Sequence, residues 1–598
     1  VKRKESLKQL RRITSLHQFA TYLGFTPKDF GYILYGLHGG PNGQYTDFTI
    51  KKRNGTDRNI SAPTTALKAI QRSLAIRLSG VYEPKKAAYG YIKKSDNNQD
   101  KTVFGNALVH SKKRYVFNVD LKDFFPSIHF GRVMGLFRSN PYKLDRSIAI
   151  LIAKIACYND FLPQGSPCSP IISNMICSHM DRDLSDLAKN YRCYYTRYVD
   201  DITFSTNVKD FPEDIAFFDG IWNPGEGLVE IIDDHGFKIN GEKTSLRTQS
   251  DRQIVTGLTV NDFPNVRKRS INQVRAMLHD WKVNGLELAY TKYIEKYDTR
   301  NNQHEEEDKT VFGKIIKGKL EWIGSVKDKR FEINEKHKGN KAKLNRLGYS
   351  KNLLERQSYK KYIERLKHLT INESDMVTVL GEGQTDWMHL KTAYKRLCSD
   401  PELSFPIYFY PHSRKEKGGE DNLWTFCSTA KDHYVTYRHP VVCVFDCDLE
   451  RINNKHKGKK FIDHGNNVFS ILLQKPEGSI YEKYAIEQIY DLHDMLKTDE
   501  YGRRLYLSSE FDGNSVHKMN PNIFSKKKTS NDEKIVDNEV FLRKKDGTEK
   551  SIALSKTNFA VSIARGIQPF RTMNFSGFMP TFLRIKEIYQ LHISDSSH

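Results

Sequence analysis

In the segment CYYTRYVDDITFST, residues 193–206, Asp200 and Asp201 stand side by side between two apolar runs. Side chains alternate across a strand, so Tyr198, Asp200 and Ile202 face one way and Val199 and Asp201 the other. Neighbouring carboxylates repel, and burying them is costly. Such a pair either sits in solvent on an ordinary hairpin or holds metal. Asp120 closes another apolar run, YVFNVD. If these strands are neighbours in one sheet, three carboxylates distant in sequence converge at strand ends. Hard oxygen ligands there suit Mg²⁺, which keeps waters and takes substrate phosphates as its other ligands. Two such ions about 4 Å apart activate a hydroxyl and stabilise a leaving pyrophosphate, the chemistry of a polymerase.

A second constellation lies near the other end of the chain. VTVLGEGQTD, residues 377–386, delivers Glu382 at the end of a buried strand. VVCVFDCD, residues 441–448, delivers Asp446 and Asp448, on one side by the period of two. The spacing again suits Mg²⁺ or Mn²⁺. Loop acids are the alternative.

The elements that must position these residues are legible in outline. From about 30 to 260, short apolar runs alternate with helical patterns, a mixed α/β domain. FTIKKRNGTDRNISAP, residues 48–63, reads as a hairpin around Asn54-Gly55. RYVFNVDLKDFFPSI, residues 114–128, reads as strand, turn, helix. Leu7, Leu10, Ile13, Leu16 and Phe19 trace one amphipathic basic helix at the start. From about 262 to 370 the pattern is helical and basic, with NNQHEEEDKT and VKDKRFEINEKHKGNKAKLN as exposed charged loops. A new domain begins near Ser374, with 377–386 running from strand through a Gly-containing turn into a helix.

Lys plus Arg number 95 and Asp plus Glu 72, a net charge of +23 over 598 residues. That balance suits a polyanionic partner such as nucleic acid; a basic solvated surface is the bland alternative. The eight cysteines form no CxxC pair, so Cys443 and Cys447 read as buried thiols, and a reducing cytoplasm is expected. No run of about 18 apolar residues and no signal-peptide core is present, so no membrane partner is expected.

YVDD (198–201), VDLKDFF (119–125) and LPQGSPCSP (162–170) together resemble the palm motifs of reverse transcriptases, in the same order and spacing. The resemblance implies that Asp120 and Asp200 bind both metals, with Asp201 in support. It places Phe125 as a steric gate selecting dNTPs, and Gln164 and Gly165 along the incoming nucleotide. It offers Arg58, with Lys52 as a weaker candidate, to grip the triphosphate, and Lys243 to protonate pyrophosphate. For these three basic residues a solvated face remains the alternative.

NALVH (106–110) and VTGLTVN (255–261) resemble two motifs of retron reverse transcriptases. That likeness implies RNA contacts by Asn106, His110, Val255, Thr256 and Gly257. The basic segment ending in GKLEWIGSV (318–326) resembles a thumb. Implied with it are a structured noncoding RNA partner, priming from a guanosine 2′-OH, a branched msDNA product, and antiphage defence in the bacterial cytoplasm.

Glu382 with Asp446 and Asp448 resembles the metal site of TOPRIM domains. YAIEQIY offers Glu487 as a further ligand and LSKTNFA offers Lys556 as a phosphate contact; a helix-surface Glu or Lys is the favoured alternative for both. No zinc-binding or helicase-like region points to a primase, so a nuclease is the preferred TOPRIM activity.

The expected fold is therefore α/β and α+β multidomain: right-hand polymerase, then TOPRIM. Fingers and palm are expected over 1–260, thumb and basic linker over 261–370, and a TOPRIM effector over 371–598. The expected partners are the cognate RNA, msDNA, dNTPs and a nuclease target, with a homo-oligomer possible. The rival readings are a general primed-template polymerase with an accessory TOPRIM part, and a TOPRIM part that only binds nucleic acid.

Overall fold

The computed structural model describes residues 2–51, 56–92, 100–297, 310–336, 339, 349–412, 418–476, 478–479, 481–529, 533–544 and 547–595. The chain divides into two compact units. The first comprises 1–280 and 287–362; the second comprises 281–286 and 363–598. The segment expected to be a thumb thus falls largely in the first unit.

In the first unit, β1 (Tyr45–Lys51) and β2 (Asp57–Pro63) pair antiparallel, with Ile50 opposite Arg58. The Asn54-Gly55 turn lies outside the described residues. Next come β3 (Ala88–Tyr89), β4 (Tyr115–Asp120), β5 (Tyr194–Tyr198), β6 (Asp201–Thr206), the hairpin β7 (Ala216–Asp219) and β8 (Ile221–Pro224), β9 (Ser245–Thr248), and the small hairpin β10 (Ile254–Val255) and β11 (Leu258–Thr259). The central sheet has the order β3-β5-β6-β4-β9. Only β3 and β5 run parallel; the other neighbours are antiparallel.

The middle strands are buried because their apolar residues meet packed surfaces. Val116, Phe117 and Val119 of β4 and Ile202 and Phe204 of β6 are all buried. The helix Arg146–Ala156, RSIAILIAKIA, is apolar almost all round and is correspondingly buried. Helix Ser169–Ile176 carries Ile171, Ile172 and Met175 into the same core.

Two sequence expectations change here. The first apolar stripe is split between helices Lys2–Arg11 and Leu16–Leu23, because Ser15 caps the second by accepting from the Gln18 N–H. Residues 326–335 are not a loop but the end of helix Thr310–Glu335. Lys327 is buried there, donating to Asn265 Oδ1 at 2.7 Å and pairing with Glu355. A charged run is thus helical where tertiary partners neutralise it. The run at 301–309 lies outside the described residues.

The second unit contains β12 (Val377–Leu380), β13 (Ile407–Phe409), β14 (Val441–Phe445), β15 (Ile462–Asp463) and β16 (Val468–Leu472), in the order β13-β12-β14-β16-β15. All pairs are parallel except β15–β16. Every residue of VTVL and VVCVF is buried. The reason is that both faces are covered. Val377, Val379, Val442 and Val444 enter one core, while Leu380, Val441, Cys443 and Phe445 enter another. Cys443 and Cys447 are buried free thiols. A small antiparallel sheet follows, β17 (Ile523–Ser525), β18 (Val540–Arg543) and β19 (Glu549–Ser551). Among the described residues, no helix is long and apolar enough to cross a membrane.

Candidate functional site

The register of the central sheet brings the first three acids together. Asp120, the last residue of β4, lies directly opposite Asp201, the first of β6. Val199 and Asp200 make the turn between β5 and β6, and the Leu121 N–H donates to the Asp200 carbonyl at 3.1 Å. Lys243 Nζ donates to Asp120 Oδ2 at 2.7 Å, and Asn240 Nδ2 donates to the same oxygen at 3.3 Å. Desolvation and the charges of Asp200 and Asp120 push Asp201 up to about 7. Desolvation and Asp120 raise Asp200, while Lys243 and Arg58 act against the rise. For Lys243 burial opposes charge, yet the bond to Asp120 and the other two acids hold its pKa above the usual lysine value.

Beside this cluster Arg58, Phe125, Gln164 and Gly165 line one cleft of about 550 Å³. Gly165 has φ +134, and a Cβ there would lie 2.5 Å from the Ser61 carbonyl oxygen, so no other residue fits without backbone movement. The Ser61 N–H donates to the Gln164 carbonyl at 2.9 Å, stitching the β1–β2 hairpin to this loop. Phe125 packs edge-on against Phe124, which stacks on Phe237. Of the six residues expected along the nucleotide, four share the cleft and Lys243 stands at the acids. Lys52 lies outside the described residues.

The expected RNA contacts divide. His110 is wholly buried, its Nδ1 2.7 Å from Ser205 Oγ and its Nε2 2.7 Å from Thr196 Oγ1. Both ring nitrogens are spent on strands β5 and β6, and burial lowers its pKa to about 3. Asn106 is equally buried. Burial of both side chains speaks against direct RNA contact by these two. Their helix, Val103–Val109, packs on both strands of the β10–β11 hairpin. Val255 is buried in that hairpin, whereas Gly257 is exposed at its tip. Thr256 and Gly257 both have positive φ, +45 and +84, the requirement of a two-residue type I′ turn.

In the second unit the acids follow the carboxyl ends of adjacent parallel strands, where open α/β sheets place their sites. Glu382 follows β12, and Asp446 and Asp448 follow β14, which ends at Phe445, so loop geometry rather than strand alternation sets their directions. The Asp446 N–H donates to Glu382 Oε1 at 2.9 Å. Glu487 is not a solvated helix-surface acid, whereas Lys556 is the first residue of helix Lys556–Arg565 and is only half-buried. Glu487 is buried and accepts from Lys556 Nζ at 2.9 Å. The sequence reading also missed Asp386, buried four residues after Glu382 and accepting from the Gly383 N–H at 2.6 Å. Its spacing, placing an acid at the start of the helix that follows the glycine turn, was the available signal. Burial, then Asp386 and Asp448, pushes Glu382 up to about 8 despite the Asp446 N–H. Burial, Asp386 and Glu382 hold Asp446 well above the carboxylate range. Burial opposes charge on Lys556, but Glu487, Asp446 and Asp386 outweigh it.

Among the described residues, no three His, Cys, Asp or Glu side chains form a ready-made metal cage. The donor chemistry still fits Mg²⁺, which binds few protein carboxylates and completes its shell with water and phosphate. The mutual repulsion at both clusters is the property a divalent cation relieves.

A family model described as reverse transcriptase (RNA-dependent DNA polymerase) matches residues 50–260. The retron Ec73 reverse transcriptase of Escherichia coli is 32% identical over 289 residues, 44% of this chain and 87% of that protein. The chain belongs to the retron reverse transcriptase family. The retron Ec86 reverse transcriptase of Escherichia coli is 30% identical, covering 40% of this chain and 69% of that one. The retron Mx162 reverse transcriptase of Myxococcus xanthus is 30% identical, covering 46% of this retron chain and 60% of the relative.

Two predictions test this geometry. An acid whose folded pKa exceeds its unfolded value of about 4 costs stability as pH rises between the two. Asp201 is solvent-exposed, which screens part of the effect. Asp201→Asn therefore raises the thermal midpoint of the metal-free protein modestly at pH 8, and the gain shrinks toward pH 4; a gain that ignores pH contradicts the upward shift. His110→Ala leaves a cavity and two unpaired hydroxyls, and lowers unfolding free energy by about 2–4 kcal/mol in denaturant titration. A loss below 0.5 kcal/mol on the same scale contradicts the buried bridge.

Proposed function

We propose that this retron family member is an RNA-directed DNA polymerase joined to a metal-dependent TOPRIM-like nuclease. The observation that carries the first half is the meeting of Asp120, Asp200 and Asp201 at one sheet end, beside a cleft lined by Arg58, Phe125, Gln164 and Gly165. In this reading Arg58 holds the triphosphate of a dNTP and Phe125 excludes a ribose 2′-OH. Lys243 keeps a proton available to the departing pyrophosphate. Asp120 and Asp200, supported by Asp201, would hold Mg²⁺, which supplies Lewis-acid activation of the attacking hydroxyl and charge neutralisation on the phosphates.

The template is a structured noncoding RNA, and the primer a guanosine 2′-OH within it, so the product is a branched msDNA. The exposed Gly257 turn supports an RNA contact at that hairpin, on which helix Val103–Val109 packs. The basic balance of the chain supports nucleic-acid partners throughout.

For the second unit, the gathering of Glu382, Asp386, Asp446, Asp448 and Glu487 around strand ends, with Lys556 beside them, supports phosphodiester cleavage. Glu382, Asp446 and Asp448 would hold Mg²⁺ or Mn²⁺, with Glu487 an additional ligand. Lys556 would hold a phosphate oxygen. A nuclease restrained by the msDNA and released during phage infection accounts for both halves in one polypeptide.

Expression with the flanking DNA tests the whole reading. An RNase-resistant DNA band, shifted by a debranching enzyme and lost in Asp200→Asn, is the expected result. Activity on arbitrary primed templates without that band favours a general polymerase. Glu382→Gln or Asp446→Asn leaves the band intact and lowers nucleolytic turnover by at least about 100-fold, the scale of a lost essential acid–base group. If either change also stops DNA synthesis in folded protein, the two activities do not reside in separate sites.

A further inference from the structure

We infer that Arg197, paired with Asp181, is a positioning residue for the Asp200–Asp201 turn and acts through the carbonyl of Val199. The inference rests on the polymerase reading above. Arg197 lies on β5 and is wholly buried, as is Asp181 on helix Ser178–Asn190. A buried guanidinium needs an acceptor for each of its donors. Nε donates to Asp181 Oδ1 and Nη2 to Asp181 Oδ2, both at 2.8 Å. Nη1 donates to Asn174 Oδ1 at 3.1 Å and to the Val199 carbonyl at 2.9 Å. The Tyr195 hydroxyl donates to the same Asp181 Oδ1 at 2.8 Å.

The last of the Arg197 bonds is the informative one. Val199 has φ +62, a left-handed conformation that a β-branched residue rarely adopts. It is the residue immediately before Asp200. Turning this peptide moves Asp200 and Asp201 relative to Asp120, so whatever holds the Val199 carbonyl also sets the acid spacing. The turn has little room to relax otherwise. A Cβ on Gly90 would lie 3.1 Å from Val199 Cγ2 and 3.2 Å from Tyr198 Cζ, so this backbone packs directly beneath. Asn174 completes the clamp by donating from Nδ2 to the Gly90 carbonyl at 3.1 Å.

One guanidinium therefore ties together two helices, strand β5 and the turn. None of Arg197, Asp181 and Asn174 lines the nucleotide cleft. They position the acids without touching substrate. Lysine cannot replace arginine here, because an ammonium lacks the planar fork that serves Asp181 bidentately while reaching two further acceptors.

The test uses the purified full chain extending a primed template. Arg197→Lys is expected to lower kcat at least tenfold and raise the half-saturating Mg²⁺ concentration several-fold, with KM for dNTP within twofold of the parent. Asn174→Ala, which leaves the ion pair intact, is expected to shift the Mg²⁺ requirement in the same direction by less. Should Arg197→Lys not fold, the Asn174→Ala result decides. Mn²⁺ titration calorimetry gives a readout independent of turnover: the binding lost in Asp200→Asn is expected to weaken several-fold in Arg197→Lys. A parent inactive on every template counts against the polymerase reading, while weakened Mn²⁺ binding would still support the clamp. Folded variants with parental Mg²⁺ and Mn²⁺ dependence, or losses that track only the folded fraction in thermal melts, overturn the inference.

Discussion

Like charges held at one end of a sheet are the constraint around which the first unit is built. Pairing β4 with β6 in the observed register sets Asp120 against Asp201, and the turn adds Asp200. No isolated hairpin would choose that arrangement. The surrounding structure supplies the compensation: Lys243 and Asn240 grip Asp120, and the turn carbonyl of Val199 is bound by a buried guanidinium. Desolvation first, and then the repulsion that remains, raise the pKa of Asp200 and Asp201. That residual repulsion is the stored preference for a cation.

The second unit meets the same electrostatic problem with different architecture. Its parallel strands are covered on both faces, so polar side chains are pushed to the strand ends. Glu382 and Asp446 are then joined through a backbone N–H, and Glu487 is held by Lys556. Burial first, and then the neighbouring acids, raise Glu382, Asp386 and Asp446, and burial raises Asp448, against the pull of Lys556 on Asp386, Asp446 and Asp448. A site of this composition is suited to a divalent cation and a phosphate rather than to a neutral metabolite.

His110 illustrates how a motif residue can serve a site it never touches. Its ring bridges Thr196 and Ser205 on β5 and β6, the two strands that carry the acidic turn. Its helix also supports the β10–β11 hairpin with its Thr256-Gly257 turn. One buried imidazole thus braces the acid-bearing hairpin, while its helix packs on the element proposed to meet RNA.

The sequence by itself determined the strands and their terminal acids. Apolar runs ending in Asp120, Glu382 and Asp446, and the apolar frame of Asp200-Asp201, carry local information that needs no partner to be read. The charge balance was legible in the composition, whereas Arg58, Gln164 and Gly165 stood out through the family resemblance and not from local pattern. Tertiary structure alone decided burial and partnership. Glu487 and Lys556 lie 69 residues apart, and each looks like a solvated side chain until the fold buries the acid against the lysine. Asp386, Asp181 and Arg197 are ordinary charged residues in sequence, yet all three are buried and bound. The charged run at 326–335 became helix because Lys327 found Asn265 and Glu355. Local pattern specifies where a chain is apolar. Only long-range packing specifies which charges lose their water, and desolvation is what turns a charged residue into a structural or chemical one.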